Sequence, residues 1–493
     1  MTDAVIIGAG LGGLSSAIAL AAAGAKVRVI EAAPESGGKA GRSVTNGVEF
    51  DTGPSLLTMP DVVEKIAALA GLQLADLITL RRLTPSFRYH YPDGVQFDIF
   101  DDVEGSLQSV RDTLGASAAQ ELKDFLAYAN GIWAAAAPPF VYGDAPTAKN
   151  IASMSVRQVV ALRKIDAFGT MRGAIEKRVR SPHLRDLLMR YATYNGSDPR
   201  RAPATLNCIA HVELGESGWG IDGGTYALVR ALQKTAERMG VEFCFNTPAR
   251  RIAVRRGRTT GVDTDSGYIE ANVVIANCDP ALALGPLLGR EFDGPEPSMS
   301  GWNALVRAHS VPDDLPAHAV WFPKNYEQEF ADIFGENRAP REPTVYVCNQ
   351  ARAHGRVGWQ DGAEPLFVMV NAPATTDGGE PSGIEEAAEF AMKTLRTAGV
   401  VSEADEIVWE RTPLQLATAF PGSRGSIYGA ASNDRFAAFR RPNNRCKNPR
   451  GLYLASGGAH PGGGMPLCLL SGLAAARAVC VDTGLTQSRD AAE

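Results

Sequence analysis

Ala4–Ala32 reads AVIIGAGLGGLSSAIALAAAGAKVRVIEA, and the placement of its glycines decides the fold. A short apolar run (Ala4–Ile7) meets Gly8, Gly10 and Gly13, an apolar stretch then runs to about Ala23, and a second run (Val27–Glu31) ends on an acid. Strand, tight turn, helix and strand is the reading this order gives. Gly8 permits the turn, Gly10 lets the backbone approach a pyrophosphate, and Gly13 lets helix and strand pack closely. Leu11 and Gly12 open the helix, whose free N–H groups and positive dipole end suit phosphate. Glu31 can accept both ribose hydroxyls and disfavours a 2′-phosphate, so FAD or NAD is expected rather than NADP. A buried glycine turn without ligand is the alternative, and the strand, helix and acid at their proper spacing weigh against it. Val5–Ala25 carries no charge and so resembles a spanning or signal segment, but Asp3 precedes it and four glycines fall between Gly8 and Gly13. Those glycines would weaken a helix there.

The composition narrows the class. The 493 residues suffice for two or three domains' worth of core, with 45% hydrophobic and 21% charged residues. A net charge of −6 makes general nucleic-acid binding an unlikely role. Seven scattered cysteines without a C-x-x-C fit reduced thiols and argue against zinc, iron–sulfur or a redox dithiol; no metal site is expected. No further apolar run of spanning length is evident, so an integral membrane protein is not expected.

Later segments separate FAD from NAD. ESGGKAGR (Glu35–Arg42) sets a second glycine pair and cations just past the ribose acid, and FDTGPS (Phe50–Ser55) follows. Near the end stands GGAHPGGGMPLCLLSG (Gly457–Gly472). These segments resemble those of the flavin amine oxidase and carotenoid desaturase superfamily, over Asp3 to about Asp482. The resemblance implies FAD, with Gly38, Lys39 and Arg42 along the pyrophosphate and Gly53, Pro54 and Ser55 toward the flavin ring. It also implies backbone contact with adenine at Ala249, and a closing wall at Gly458 and Met465. Gly457 and Gly458 are expected to end a strand, and Pro466 to begin a helix whose N–H groups face the flavin N1/C2=O edge. Lys39 stands where many relatives have arginine, giving a point charge instead of a fork. No second G-x-G-x-x-G follows, so a separate nicotinamide domain is not supported.

Within the superfamily the chain resembles the bacterial-type carotenoid desaturases. HPGGGMPLCLLSGLAAA is similar to the ending of the hydroxycarotenoid 3,4-desaturases (the methoxyneurosporene dehydrogenase type). Phytoene desaturases more often follow the His-Pro-Gly with Gly-Ile-Pro-Gly. The implied reaction is C3–C4 desaturation of an acyclic carotenoid hydroxylated at C-1. A hydride and a proton leave adjacent carbons, and because no side chain accepts a hydride well, flavin N5 is the expected acceptor. Oxygen, a quinone or another electron acceptor must then reoxidise the flavin, and no motif identifies it. His460 and His211 are the candidate proton acceptors, though a lone histidine in such a segment is more often structural. A phytoene desaturase, or another desaturase, isomerase or oxidase of the family, would share these motifs. An amine oxidase or protoporphyrinogen oxidase shares the cofactor segments but not the ending. A non-enzymatic isoprenoid-binding escort is the reading from a different class, and the intact glycine motifs and Glu31 count against it.

The expected architecture is α/β: a Rossmann-type FAD-binding domain of the glutathione-reductase-like form, a mixed-sheet substrate domain and a helical insertion. The segments are 1–100, 221–290 and 431–493 for the cofactor, 101–220 for the helical, membrane-associating part, and 291–430 for the substrate. Residues 151–201 hold eleven basic and four acidic residues, against an overall negative charge. Docking on anionic lipid, with Trp133, Phe140 and Tyr142 as inserting surface, is favoured over a solvated face with internal ion pairs. The expected location is cytoplasmic, bound peripherally to the inner face of the cell membrane.

Overall fold

The computed structural model describes residues 3–146, 162–376, 378–434 and 437–486. The opening stretch folds as strand Asp3–Ile7, helix Leu11–Ala22 and strand Lys26–Ile30. These two strands pair in parallel. Three distant pieces complete a five-stranded parallel sheet in the order 452–454, 273–276, 3–7, 26–30, 242–244. The first strand is buried on both faces, which explains its unbroken apolar run.

Helix Leu11–Ala22 lies against the sheet and against helix Met465–Thr483. The contact is unusually close: a β-carbon on Gly472 would fall 2.3 Å from the Gly12 carbonyl oxygen. Ser15 Oγ donates to the Leu469 carbonyl at 2.7 Å, and Ser16 Oγ to that of Gly472 at 3.2 Å. Small residues thus let two helices meet backbone to backbone, while Leu14, Ile18, Leu469 and Val479 are fully buried around them. Burying each such aliphatic side chain contributes about 1.5–3 kcal/mol. Met465–Thr483 is also long and apolar enough to cross a membrane, and most of it is buried in the protein.

A seven-stranded mixed sheet forms the second layer, in the order 406–411, 300–308, 364–372, 345–349, 318–321, 87–90, 96–99. The pair 318–321 with 87–90 is parallel and the other pairs are antiparallel. The hairpin expected at Pro92-Asp93-Gly94 is present, and it joins this sheet and not the five-stranded parallel one. One face packs on helix Ile384–Thr397. The other looks toward the helices Ala116–Ala136, Met171–Arg178 and Pro182–Arg190.

Several cations of the basic stretch find acidic partners within the protein. Arg172 pairs with Glu176 at 2.8 Å and Glu327 at 3.0 Å, Arg200 with Asp198 at 2.7 Å, and Arg201 with Glu296 at 2.9 Å. Arg190 is buried. Arg157 lies outside the described residues. Trp133 packs on the core and Tyr142 Oη donates to Asp61 at 3.0 Å, so this part of the aromatic patch is partly buried. Phe168, within the basic stretch, is 89% exposed.

Candidate functional site

The first turn of helix Leu11–Ala22 has no side-chain cap, so the N–H groups of Leu11, Gly12 and Gly13 stay free for an anion. The turn is held from below by Asn277, whose Nδ2 donates to the Gly8 carbonyl at 3.1 Å. A β-carbon on Gly10 would sit 2.9 Å from that amide, and one on Gly13 would sit 2.1 Å from the Gly8 oxygen. Asn277 follows the strand 273–276 directly; sequence reasoning passed over it, although an amide at a parallel strand's end is the available signal.

Glu31 faces this turn. Its Oε2 accepts from the Ala9 N–H at 2.7 Å and its Oε1 from the Ala33 N–H at 2.9 Å. The Thr247 N–H donates to the Glu31 carbonyl at 2.7 Å, and Ala249 begins the strand that follows. Glu31 and the Thr247–Ala249 segment are therefore neighbours.

The glycine pair closes over the same turn, with the Gly37 N–H donating to the Ala9 carbonyl at 3.0 Å. A β-carbon on Gly53 would lie 2.1 Å from the Lys39 oxygen, so FDTGPS rests directly on GGK. Lys39 Nζ donates to the Ser426 carbonyl at 2.7 Å, and burial pushes its pKa down, with Asp279 opposing. Arg42 differs from the expectation: its charge is spent on Glu35 and Glu49, and it lies over the Tyr226 ring. Asp51 accepts from the Thr225 and Tyr226 N–H groups at 2.9 and 3.0 Å, and from Arg356 Nη2 at 2.7 Å. It thereby fixes the Gly53–Pro54–Ser55 turn against helix Tyr226–Arg238.

At the C-terminal end the strand is Leu452–Leu454, so Gly457 and Gly458 lie in the turn after it and do not end the strand. Gly458 stands against Pro280, and the helix starts at Met465 without a side-chain cap. Arg441 Nη1 donates to the Gly457 carbonyl at 3.0 Å and holds the turn. His460 is buried, and its Nε2 donates to the Gly143 carbonyl at 3.1 Å, a clamp between two loops. Burial lowers its pKa. His211 sits 3.4 Å from Glu216 and also has a lowered pKa through burial. The structure does not bring these two histidines together with each other.

Several deep residues keep accessible surface. Lys39, Cys468, Tyr428, Tyr346 and Tyr194 are enclosed enough for burial to dominate their ionisation, yet none is fully covered. Tyr428 packs on Gly463, and Tyr346 hydrogen-bonds to Ser55 Oγ and to His318 Nδ1. These contacts link the glycine segments to the large sheet.

The residues fit a bound FAD. Beyond the free helix N–H groups, the hydroxyls of Ser36, Thr52 and Ser456 are buried with no hydrogen-bond partner beside the same glycine segments. A polar group is missing there, and buried hydroxyls without one are costly. When bound, FAD supplies a two-electron acceptor that no side chain offers.

The comparisons with known proteins agree with this geometry. The family model for flavin containing amine oxidoreductase matches residues 11–480. A hydroxyneurosporene desaturase of Rhodobacter capsulatus is 36% identical, over 98% of this chain and 98% of its own. Another, of Rubrivivax gelatinosus, is 34% identical over 96% of this chain and 92% of its own. Among solved structures, an oxidoreductase from Methanosarcina mazei shares the fold with a TM-score of 0.62 at 15% identity, covering 97% of this chain and 100% of that one. The chain belongs to the flavin-containing amine oxidoreductase family, and it is an FAD-dependent oxidoreductase.

Proposed function

We propose that this protein is a carotenoid desaturase that introduces the C3–C4 double bond into acyclic carotenoids hydroxylated at C-1. The full-length likeness to the hydroxyneurosporene desaturases carries this reading. A polyene needs an apolar, enclosed path that brings one C–H bond to the cofactor. On this reading the turns at Gly8–Gly13 and Gly38–Lys39 hold the pyrophosphate, Glu31 the ribose and Ala249 the adenine. Gly53–Ser55, Gly458 and Met465 frame the ring. The cofactor part is then discontinuous in sequence, and residues 291–430 belong mainly to the substrate part. His460 and His211 serve as structural residues.

Matched acyclic carotenoids with and without the C-1 hydroxyl, supplied on liposomes to the FAD-loaded protein, test the reading. A red shift of the hydroxylated compound alone is expected. Equal conversion of both, or conversion of phytoene, overturns it.

Contact with the membrane is part of the proposal. Phe168, standing free of the fold beside the exposed Lys164, supports it. Phe168→Ser should weaken flotation with anionic liposomes, and flotation indifferent to this change and to salt removes the idea.

A further inference from the structure

Arg190, at the end of helix Pro182–Arg190, is 8% exposed and faces the inside of the molecule. Its guanidinium lies 5.6 Å from the centre of the Phe87 ring, 5.8 Å from Tyr89, 5.3 Å from Tyr194 and 5.7 Å from Tyr346. It hydrogen-bonds from Nη1 to Tyr194 Oη at 3.2 Å, with Tyr89 also in reach. A guanidinium has five N–H donors, so this one can take a further acceptor. No carboxylate stands within ion-pair distance of it among those residues, although Glu213 is close enough for its charge to be felt.

Glu213 is 5% exposed. Its Oε1 accepts from Tyr191 Oη at 3.0 Å, and its Oε2 is buried without a hydrogen-bond partner. An unpaired charge and an orphaned carboxyl oxygen, both buried, cost several kcal/mol unless something else satisfies them. Tyr194 and Tyr346 are only partly buried, so a ligand lying against them can reach the cage. A polyene hydrocarbon offers no hydrogen bond to such a group.

We propose that Arg190 and Glu213 form a subsite for an alcohol: the substrate oxygen accepts from the guanidinium, and its hydrogen is donated to Glu213 Oε2. An alcohol is both donor and acceptor, which matches the two orphaned groups. An ether satisfies only Arg190, and a carboxylate would meet the Glu213 carboxyl. The position is consistent with the chemistry. Tyr346, one wall of the cage, is hydrogen-bonded to Ser55 in the turn assigned to the ring end of the cofactor. The C-1 oxygen is only a few bonds from C3 and C4, so whatever grips it must lie near the reacting carbons. This subsite rests on the desaturase reading and specifies how the hydroxyl is chosen.

The test uses the FAD-loaded protein on liposomes with three compounds: the 1-hydroxylated carotenoid, its 1-methoxy ether and the hydrocarbon parent. Wild type should prefer the alcohol over both others by about tenfold or more. Arg190→Met and Glu213→Gln should each lower kcat/KM for the alcohol by about 10–100-fold, leaving the hydrocarbon within about threefold. Flavin absorbance and the Tm of Arg190→Met should hold, since replacing an unpaired buried charge by an apolar chain is not destabilising. If that variant does not fold, Glu213→Gln, which keeps the shape, decides alone. Wild-type preference that survives in folded variants, or equal loss on alcohol and hydrocarbon, overturns the subsite. Absence of preference in wild type overturns the desaturase reading beneath it, and the subsite with it.

Discussion

Around Gly8–Gly13 the chain sets backbone against backbone, whereas around Arg190 side chain meets side chain. A β-carbon on Gly12 would fall 2.1 Å from the Ala455 oxygen, so the first region has no room even for a methyl group. The second is crowded with rings and holds a charge in their midst. Tolerance to change differs accordingly. Backbone contacts cannot yield by rotating a bond, while a side-chain cage can be altered one functional group at a time. The first region suits a cofactor that never varies and the second a substrate that does.

The sharpest attempt to break this contrast is Gly13→Ala. Its new methyl meets the Gly8 carbonyl, so the variant should lose about 3 kcal/mol and purify without flavin absorbance. A yellow, stable variant would show that the turn can yield after all. Next comes Glu31→Ala, which removes a charged acceptor from the Ala9 N–H. A loss of about 1.5–3 kcal/mol should raise the Kd for FAD roughly 10–100-fold in a titration. Tyr346→Phe probes the other region. It leaves Ser55 and His318 without their shared partner, at a cost of about 1–2 kcal/mol in chemical denaturation, with the flavin retained.

The smallest effect lies between the regions, where Glu49 is bound by Arg42, Arg230 and Arg356. Burial works to raise the Glu49 pKa, but these arginines prevail and hold it at about 2. A depressed carboxylate contributes stability above its unfolded pKa, which is lost as pH falls from about 4.5 toward 2. Glu49→Gln should therefore flatten the acid limb of unfolding. It should lower stability at pH 7 by on the order of 1 kcal/mol, solvent screening of this half-open cluster being allowed for.

These same differences explain what the sequence made legible. Gly8, Gly10, Gly13 and Glu31 announce themselves because backbone approach demands glycine at fixed spacing, and their strand–turn–helix setting is local. Asn277 was silent, since its partner lies 269 residues earlier in the chain. The cage was silent for a similar reason: Phe87, Arg190, Glu213 and Tyr346 come from four separate elements, and no periodicity links them. The partners of Arg42 were not legible either, because Glu35 and Glu49 meet its charge only once the hairpin folds. The basic stretch shows the same limit, because a charge count cannot record which acids come to meet its cations.

The parallel sheet takes its edge strand from Leu452–Leu454, and the helix over the glycine turn comes later still. Synthesis proceeds from the amino end at roughly 5–20 residues per second, so the first glycine turn waits on the order of half a minute for its cover. Throughout that wait the Gly12 and Gly472 backbones have not met, and the apolar side of the first helix stands open. The glycine turn is thus complete only once helix Met465–Thr483 has packed on it. A ribosome that stops before the last helix releases a product with most of the nucleotide motif and no lid to close over it.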